Sequence, residues 1–382
     1  MNKKMSNKTH CNFPFTGMYI SYRGPKLCCV NKHWPTIKTS EFWNSDYHKE
    51  AKEKMEQNKQ VTGCETCYEK EKLKILSSRN IYQLDKDITK KELPTKLDLD
   101  LSNFCNLKCI MCNSHRSSQW AKDEGLYIET NGINTVSQTV LDDICKISKD
   151  LEYLTIQGGE PSIMPEFIYY FNFLKQNNII QNINLQVITN LTNLNTKFFD
   201  FLKDFKSVQL SVSIDAYGEA NEYIRYPSNF KQIEKNLIEL SNKAGNINVE
   251  ILNSIQILSL FNYDEFLGWC KNIQQIYNEK GKTFKVVAMK VTDPLIFNLF
   301  NAPEKLKNKF INDIDTFFKK NPTSLKDNSH FKIELQLLKK ALISSIPNEK
   351  ILNTLKETIK QLDYKRNKSI SSSIPTFYDY FK

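Results

Sequence analysis

Leu97-Asp98-Leu99-Asp100-Leu101-Ser102-Asn103-Phe104-Cys105-Asn106-Leu107-Lys108-Cys109-Ile110-Met111-Cys112 reads as a strand that runs into a cysteine loop. The leucines alternate with Asp98, Asp100 and Ser102, the period of two that gives a strand one apolar and one polar face. Directly beyond it, three residues separate the first two thiols and two separate the last pair. Three thiolates on one tight loop hold three irons of a [4Fe-4S] cubane and leave the fourth iron without a protein ligand. A closed zinc site wants four ligands instead, and the nearest candidate for the fourth is His115.

Outward from this stretch the alternation recurs. Short β-like runs near 97–101, 151–156, 183–189, 208–214, 248–255 and 284–290 are separated by helical stretches that include 165–176, 196–204, 229–243 and 264–277. Such alternation predicts an α/β fold of parallel βαβ units, a partial (β/α)6 TIM-like barrel over 97–300. In the fourth run, Val212 and Ile214 alternate with Ser211, Ser213 and Asp215. Helices cover the outside of a parallel barrel, so its polar strand faces should line an inner chamber, with Asp98 and Asp100 as candidates for its polarity. Active-site residues are then expected at the C-terminal ends of the strands.

Residues 1–67 form an irregular, aromatic, cysteine-rich region in which Gly17, Gly24 and Gly63 mark turns. A hairpin through Arg23-Gly24-Pro25 is expected there, as is a helix that follows Glu41-Phe-Trp43-Asn44-Ser45 and reaches Asn58. Residues 68–96 read as a helical connector, and 301–382 as a helical C-terminal extension with 331–342 and 350–362 the clearest helices.

The 382 residues suffice for a sizeable core, and eight of the ten cysteines cluster before position 113. No run is apolar enough for a signal peptide or membrane span, so a reducing cytoplasmic location is expected and a secreted disulfide framework is not. The formal charge of +10 comes from lysines spread along the whole chain. Stretches such as 2–8 and 272–285 read as solvated faces, and the charge does not single out nucleic acid as a partner. Cys145 and Cys270 stand alone among apolar neighbours, which reads as core packing, with a thiol hydrogen donor as the alternative.

The Cys105, Cys109 and Cys112 spacing after a strand resembles the signature of the radical S-adenosylmethionine (SAM) superfamily. Gln157-Gly158-Gly159-Glu160-Pro161 at the second strand's end resembles that family's Gly-Gly-Glu-Pro motif. Thr189-Asn190 and Ser211-Val-Ser213-Ile-Asp215 match segments that contact SAM in the family, and Arg225 stands where a basic residue often meets its carboxylate. The resemblance covers 97–291 and implies that Gly158, Gly159, Glu160, Asn190, Ser213, Asp215 and Arg225 surround SAM. Met111 replaces a commonly aromatic residue that seats adenine, and a thioether still packs on a ring. The family's open iron chelates SAM, and one electron cleaves it to methionine and a 5'-deoxyadenosyl radical that abstracts hydrogen. An electron donor such as a flavodoxin or ferredoxin is implied.

Cys11, Cys28, Cys29, Cys64 and Cys67 supply enough thiols for a second centre. The hairpin cysteine, the Trp-Asn-Ser segment and Cys64-Glu-Thr-Cys67 resemble the SPASM or twitch auxiliary-cluster module, here ahead of the barrel rather than after it. The resemblance implies an auxiliary [4Fe-4S] cluster on Cys11, Cys28, Cys64 and Cys67, with Cys28 preferred over Cys29. A four-thiolate zinc site needs the same residues. The expected function is a radical SAM enzyme acting on a peptide or a small polar molecule, a peptide-modifying maturase being preferred to a small-molecule dehydrogenase. A zinc-stabilised binding protein is the non-enzymatic alternative.

Overall fold

The computed structural model describes residues 9–72, 76–83, 91–243, 245–325 and 328–381. The stretch 2–8 lies outside the described residues, as do 73–75 and 84–90 of the expected connector. Eight strands form one open, mostly parallel sheet: β1 (Gly17–Ser21), β2 (Gly24–Lys26), β3 (Lys96–Asp100), β4 (Tyr153–Gln157), β5 (Asn184–Thr189), β6 (Ser207–Ser213), β7 (Ile247–Ile255) and β8 (Phe284–Lys290). Their order is β2-β1-β3-β4-β5-β6-β7-β8. Six of these are the strands expected from the alternation.

The other two come from the cysteine-rich region, which does not stand apart from the sheet. The hairpin closes antiparallel through Ser21 and Gly24, and β1 then pairs parallel to β3 with Tyr19 opposite Asp98. Gly17 permits the pairing, because a Cβ there would meet the Lys96 backbone oxygen at 2.7 Å. Met18 and Ile20, fully buried, supply the apolar side.

The chain divides into two compact units. One comprises Met1–Phe104, Tyr127–Val187 and Lys197–Val208. Its strands alternate as the sequence suggests: Leu97, Leu99, Leu154 and Ile156 are buried, and Tyr19, Asp98, Thr155 and Gln186 form a row on the other face by register. That row is tied to the next one on the same face. Tyr19 donates its hydroxyl to Asp100 at 2.7 Å and Gln157 donates Nε2 to Asp98 at 2.7 Å, which lets both carboxylates sit about 5% exposed.

The other unit comprises Cys105–Leu126, Ile188–Thr196 and Gln209–Lys382. Here β7 and β8 run parallel from Val249 opposite Phe284 to Ile255 opposite Lys290. The tail forms the helices Glu304–Lys320, Ser329–Ile343 and Glu349–Arg366. Leu306, Phe310 and Ile314 repeat at helical spacing and are fully buried, so the first of these helices packs by one apolar stripe. Among the described residues, no helix is long and apolar enough to cross a membrane.

Candidate active site

The cysteine loop is held by its backbone. Cys105 N–H donates to Ser118 Oγ at 3.2 Å, and that hydroxyl donates to the Cys105 carbonyl at 3.2 Å. Ser117, the N-cap of the helix Ser118–Asp123, donates to the Leu107 carbonyl at 2.6 Å, and Trp120 Nε1 donates to the Cys109 carbonyl at 2.9 Å. On the opposite side, Lys108 N–H donates to Tyr226 O at 2.5 Å and Ile110 N–H to Ile224 O at 2.9 Å. The serines and Trp120 were not singled out from the sequence; a Ser-Ser pair shortly after a cysteine run reads as an ordinary helix start.

Two of the three sulfurs already meet donors. Leu107 N–H points at Cys105 Sγ at 3.4 Å, and Arg225 Nη1 lies 3.9 Å from Cys109 Sγ. Burial pushes the Cys109 thiol up to about 12, and the Arg225 guanidinium works against that rise. N–H groups aimed at sulfur favour thiolates, so this donor set fits a cluster bound by three cysteines. Cys109 and Cys112 remain half-buried, and His115 is exposed. Among the described residues, no group of three or more His, Cys, Asp or Glu side chains is placed to hold a single metal ion.

Asp215 and Arg225 are partners of each other. Arg225 Nε and Nη2 approach the two Asp215 oxygens at 2.8 and 3.0 Å, and Ser254 N–H donates to the same carboxylate at 2.9 Å. Asp215 is fully buried, with burial pushing its carboxyl up and Arg225 opposing that shift. Asn190 donates Nδ2 to Asn106 Oδ1, inside the cysteine loop, at 2.8 Å, and Asn106 donates to Thr192 at 2.8 Å. Ser213 closes β6 and is half-buried, as is Met111.

Gly158, Gly159 and Glu160 belong to the other unit. Gly158 has φ +107°, and a Cβ on it would meet Asp100 Oδ1 at 2.4 Å; one on Gly159 would meet Phe104 O at 2.1 Å. Both glycines are therefore required by the chain leaving β3, which crosses close above them and accepts Gly159 N–H at Ser102 O and Glu160 N–H at Phe104 O. Glu160 is 1% exposed, and its carboxylate accepts from Ser162 N–H at 3.1 Å and Ser162 Oγ at 2.6 Å.

In the same unit Cys11, Cys28, Cys64 and Cys67 line one cavity of about 20 Å³. Asn31 Nδ2 points at Cys64 Sγ at 3.4 Å. Arg79 also lines the cavity, already paired with Glu71. Burial pushes Cys11 up to about 12 and Cys64 up to about 11. Cys29 points elsewhere, with Sγ 3.7 Å from the Tyr82 hydroxyl. Four convergent thiols fit a closed centre. Cys145 and Cys270 are buried helical thiols, at 5% and 0% exposure.

A model of the Radical SAM superfamily matches residues 99–266. No curated protein matches the chain significantly. Solved structures align at low similarity. Native anSMEcpe with bound AdoMet aligns at 19% identity and a TM-score of 0.39, covering 60% of this chain and 62% of that one. Streptococcus suis SuiB bound to precursor peptide SuiA aligns at 13% identity and a TM-score of 0.37, covering 92% and 69%. TYW1 with a lysine-pyruvate adduct bound aligns at 17% identity and a TM-score of 0.31, covering 56% and 70%. The chain thus spans about three fifths of the anSMEcpe structure.

Proposed function

We propose that this chain, which a Radical SAM superfamily model matches over residues 99–266, is an enzyme that cleaves SAM reductively and abstracts hydrogen from a peptide. The observation that carries the reading is the three-thiol loop, tied down by its backbone, on which Cys105 and Cys109 already face N–H donors. When bound there, a [4Fe-4S] cluster with SAM supplies the 5'-deoxyadenosyl radical.

In this reading Cys105, Cys109 and Cys112 hold that cluster. Met111, Gly158, Gly159, Glu160, Asn190, Ser213 and Arg225 contribute to the SAM site. Asp215 acts at one remove: buried and ion-paired, it fixes Arg225 with Nη1 toward Cys109. Asn190 holds the loop through Asn106. Cys11, Cys28, Cys64 and Cys67 hold an auxiliary [4Fe-4S] cluster, closed by four thiolates and suited to electron relay rather than to binding substrate. Electrons arrive from a flavodoxin or ferredoxin. The formal charge of +10 and the polar strand faces fit either an acidic peptide or a sugar-like substrate.

Anaerobic reconstitution with iron and sulfide, followed by SAM and dithionite, tests the chemistry. A brown protein with about eight irons per chain that forms 5'-deoxyadenosine is expected; a colourless protein with about two zinc ions and no SAM cleavage would overturn the enzyme reading. For the substrate, deuterium transferred into 5'-deoxyadenosine from a labelled acidic peptide supports a maturase. Transfer from a labelled polar alcohol instead identifies a small-molecule dehydrogenase.

A further inference from the structure

Arg366 ends the helix Glu349–Arg366, where a basic residue reads as an ordinary complement to the helix C-terminus. It is instead 8% exposed and lies against the cysteine loop. Nη2 donates to the Lys108 carbonyl at 2.7 Å, inside the Cys105-to-Cys109 span, and Nη1 donates to the Tyr223 carbonyl at 2.9 Å. The Tyr226 and Tyr223 rings flank the guanidinium at 4.8 and 5.8 Å. The loop and the 224–226 segment are already joined by the Lys108–Tyr226 and Ile110–Ile224 backbone bonds. One planar fork therefore spans both sides of that junction, a geometry that a lysine cannot reproduce.

The end of the helix is anchored in turn. Asp363 accepts from the Tyr223 hydroxyl at 2.6 Å and from Ile370 N–H at 3.1 and 3.0 Å. The two arginines of this site thus differ in charge balance. Arg225 faces Cys109 but carries Asp215 with it, so the pair is neutral. Arg366 directs its hydrogen bonds to two carbonyls, so its charge is not cancelled at the contact. Poorly solvated positive charge beside a thiolate-bound cluster favours the state with one more electron, because reduction makes the cluster more negative.

We propose that Arg366 is a positioning residue of the cysteine-loop centre: it clamps the Lys108 carbonyl, which fixes the Cys105-to-Cys109 span, and it eases one-electron reduction of the cluster by a low-potential donor. The proposal rests on the iron-sulfur reading above. It makes the C-terminal region part of the redox centre.

Full-length Arg366→Lys, Arg366→Gln and Arg366→Met proteins, reconstituted anaerobically, test it through three readouts. These are iron per chain, the thermal midpoint of the cluster-free protein, and the midpoint potential of the EPR signal that SAM perturbs. Gln keeps a donor without charge, so its potential should move negative while iron content stays near that of the unaltered protein. Lys keeps the charge and should hold the potential. Met loses both, and iron content should fall by half or more. If Met does not fold, the comparison of Gln with Lys decides. An unchanged potential in Arg366→Gln, or an equal displacement in Gln and Lys, would overturn the proposal. Absence of any SAM-responsive signal in the unaltered protein would instead sink the iron-sulfur reading itself.

Discussion

Two of the three loop thiols, Cys109 and Cys112, are half-buried, whereas three of the four cavity thiols, Cys11, Cys28 and Cys67, are each about 7% exposed; Cys105, also 7% exposed, and the half-buried Cys64 go the other way. The contrast extends to charge. The loop thiols meet a backbone N–H and Arg225, with Arg366 holding the backbone between them. The cavity thiols meet Asn31 and an arginine already paired to Glu71, and burial pushes Cys11 and Cys64 upward, as it does Cys109 in the loop. In the proposed reading, a centre that takes an outside ligand and an electron keeps two of its thiols half-buried, and one that only relays keeps most of its thiols buried.

Removing one thiol from each site should break this comparison most visibly. Cys109→Ala is expected to lose about four irons per chain and all 5'-deoxyadenosine formation. Cys64→Ala should lose a similar amount of iron yet keep the SAM-perturbed EPR signal. Loss of that signal in both variants would mean that the two sites are not separate. Next in size, Arg225→Met leaves Asp215 buried without its partner, a cost of about 3–5 kcal/mol. Chemical denaturation of the cluster-free protein should show it, and a loss under 1 kcal/mol would contradict the ion-pair assignment.

Acid should weaken the unit that holds the cavity. His48 is fully buried, its ring Nδ1 lies 2.8 Å from the Trp43 carbonyl, and burial with Lys52 nearby lowers it to about 4. The folded form therefore keeps the ring neutral where the unfolded chain takes up a proton near pH 6.5. Stability is full above about pH 6.5, falls on acidification toward pH 4 by on the order of 3 kcal/mol, and levels below that. Thermal midpoints measured across this window should show the slope, and His48→Asn should flatten it. Smallest is Gly159→Ala, whose Cβ would strike Phe104 O. About 1–3 kcal/mol is expected by overpacking, measurable as a lower midpoint, and an unchanged midpoint would contradict the close crossing.

The strands were legible because their apolar residues alternate and turn residues bound them; β3 to β8 lie where the alternation predicts. The joining of β1 to β3 was not, since strand pairing depends on long-range hydrogen bonds that leave no local pattern. The cysteine spacing pointed to the loop, while the choice between Cys28 and Cys29 turns on side-chain direction in an irregular segment. Gly158 and Gly159 were noticed as a ligand approach; the structure adds that the chain leaving β3 requires them. Arg366 was invisible because its partners are two backbone carbonyls, both far away in sequence at Lys108 and Tyr223. Asp215 illustrates the same limit: its ion pair with Arg225 leaves no local pattern in the sequence.

The most direct test of the central claim compares the unaltered protein with a Cys105→Ala, Cys109→Ala, Cys112→Ala triple variant, both reconstituted anaerobically and given SAM and dithionite. The account predicts 5'-deoxyadenosine from the first, none from the second, and about four fewer irons in the second. Equal 5'-deoxyadenosine from both, or none from a fully loaded unaltered protein, would contradict it.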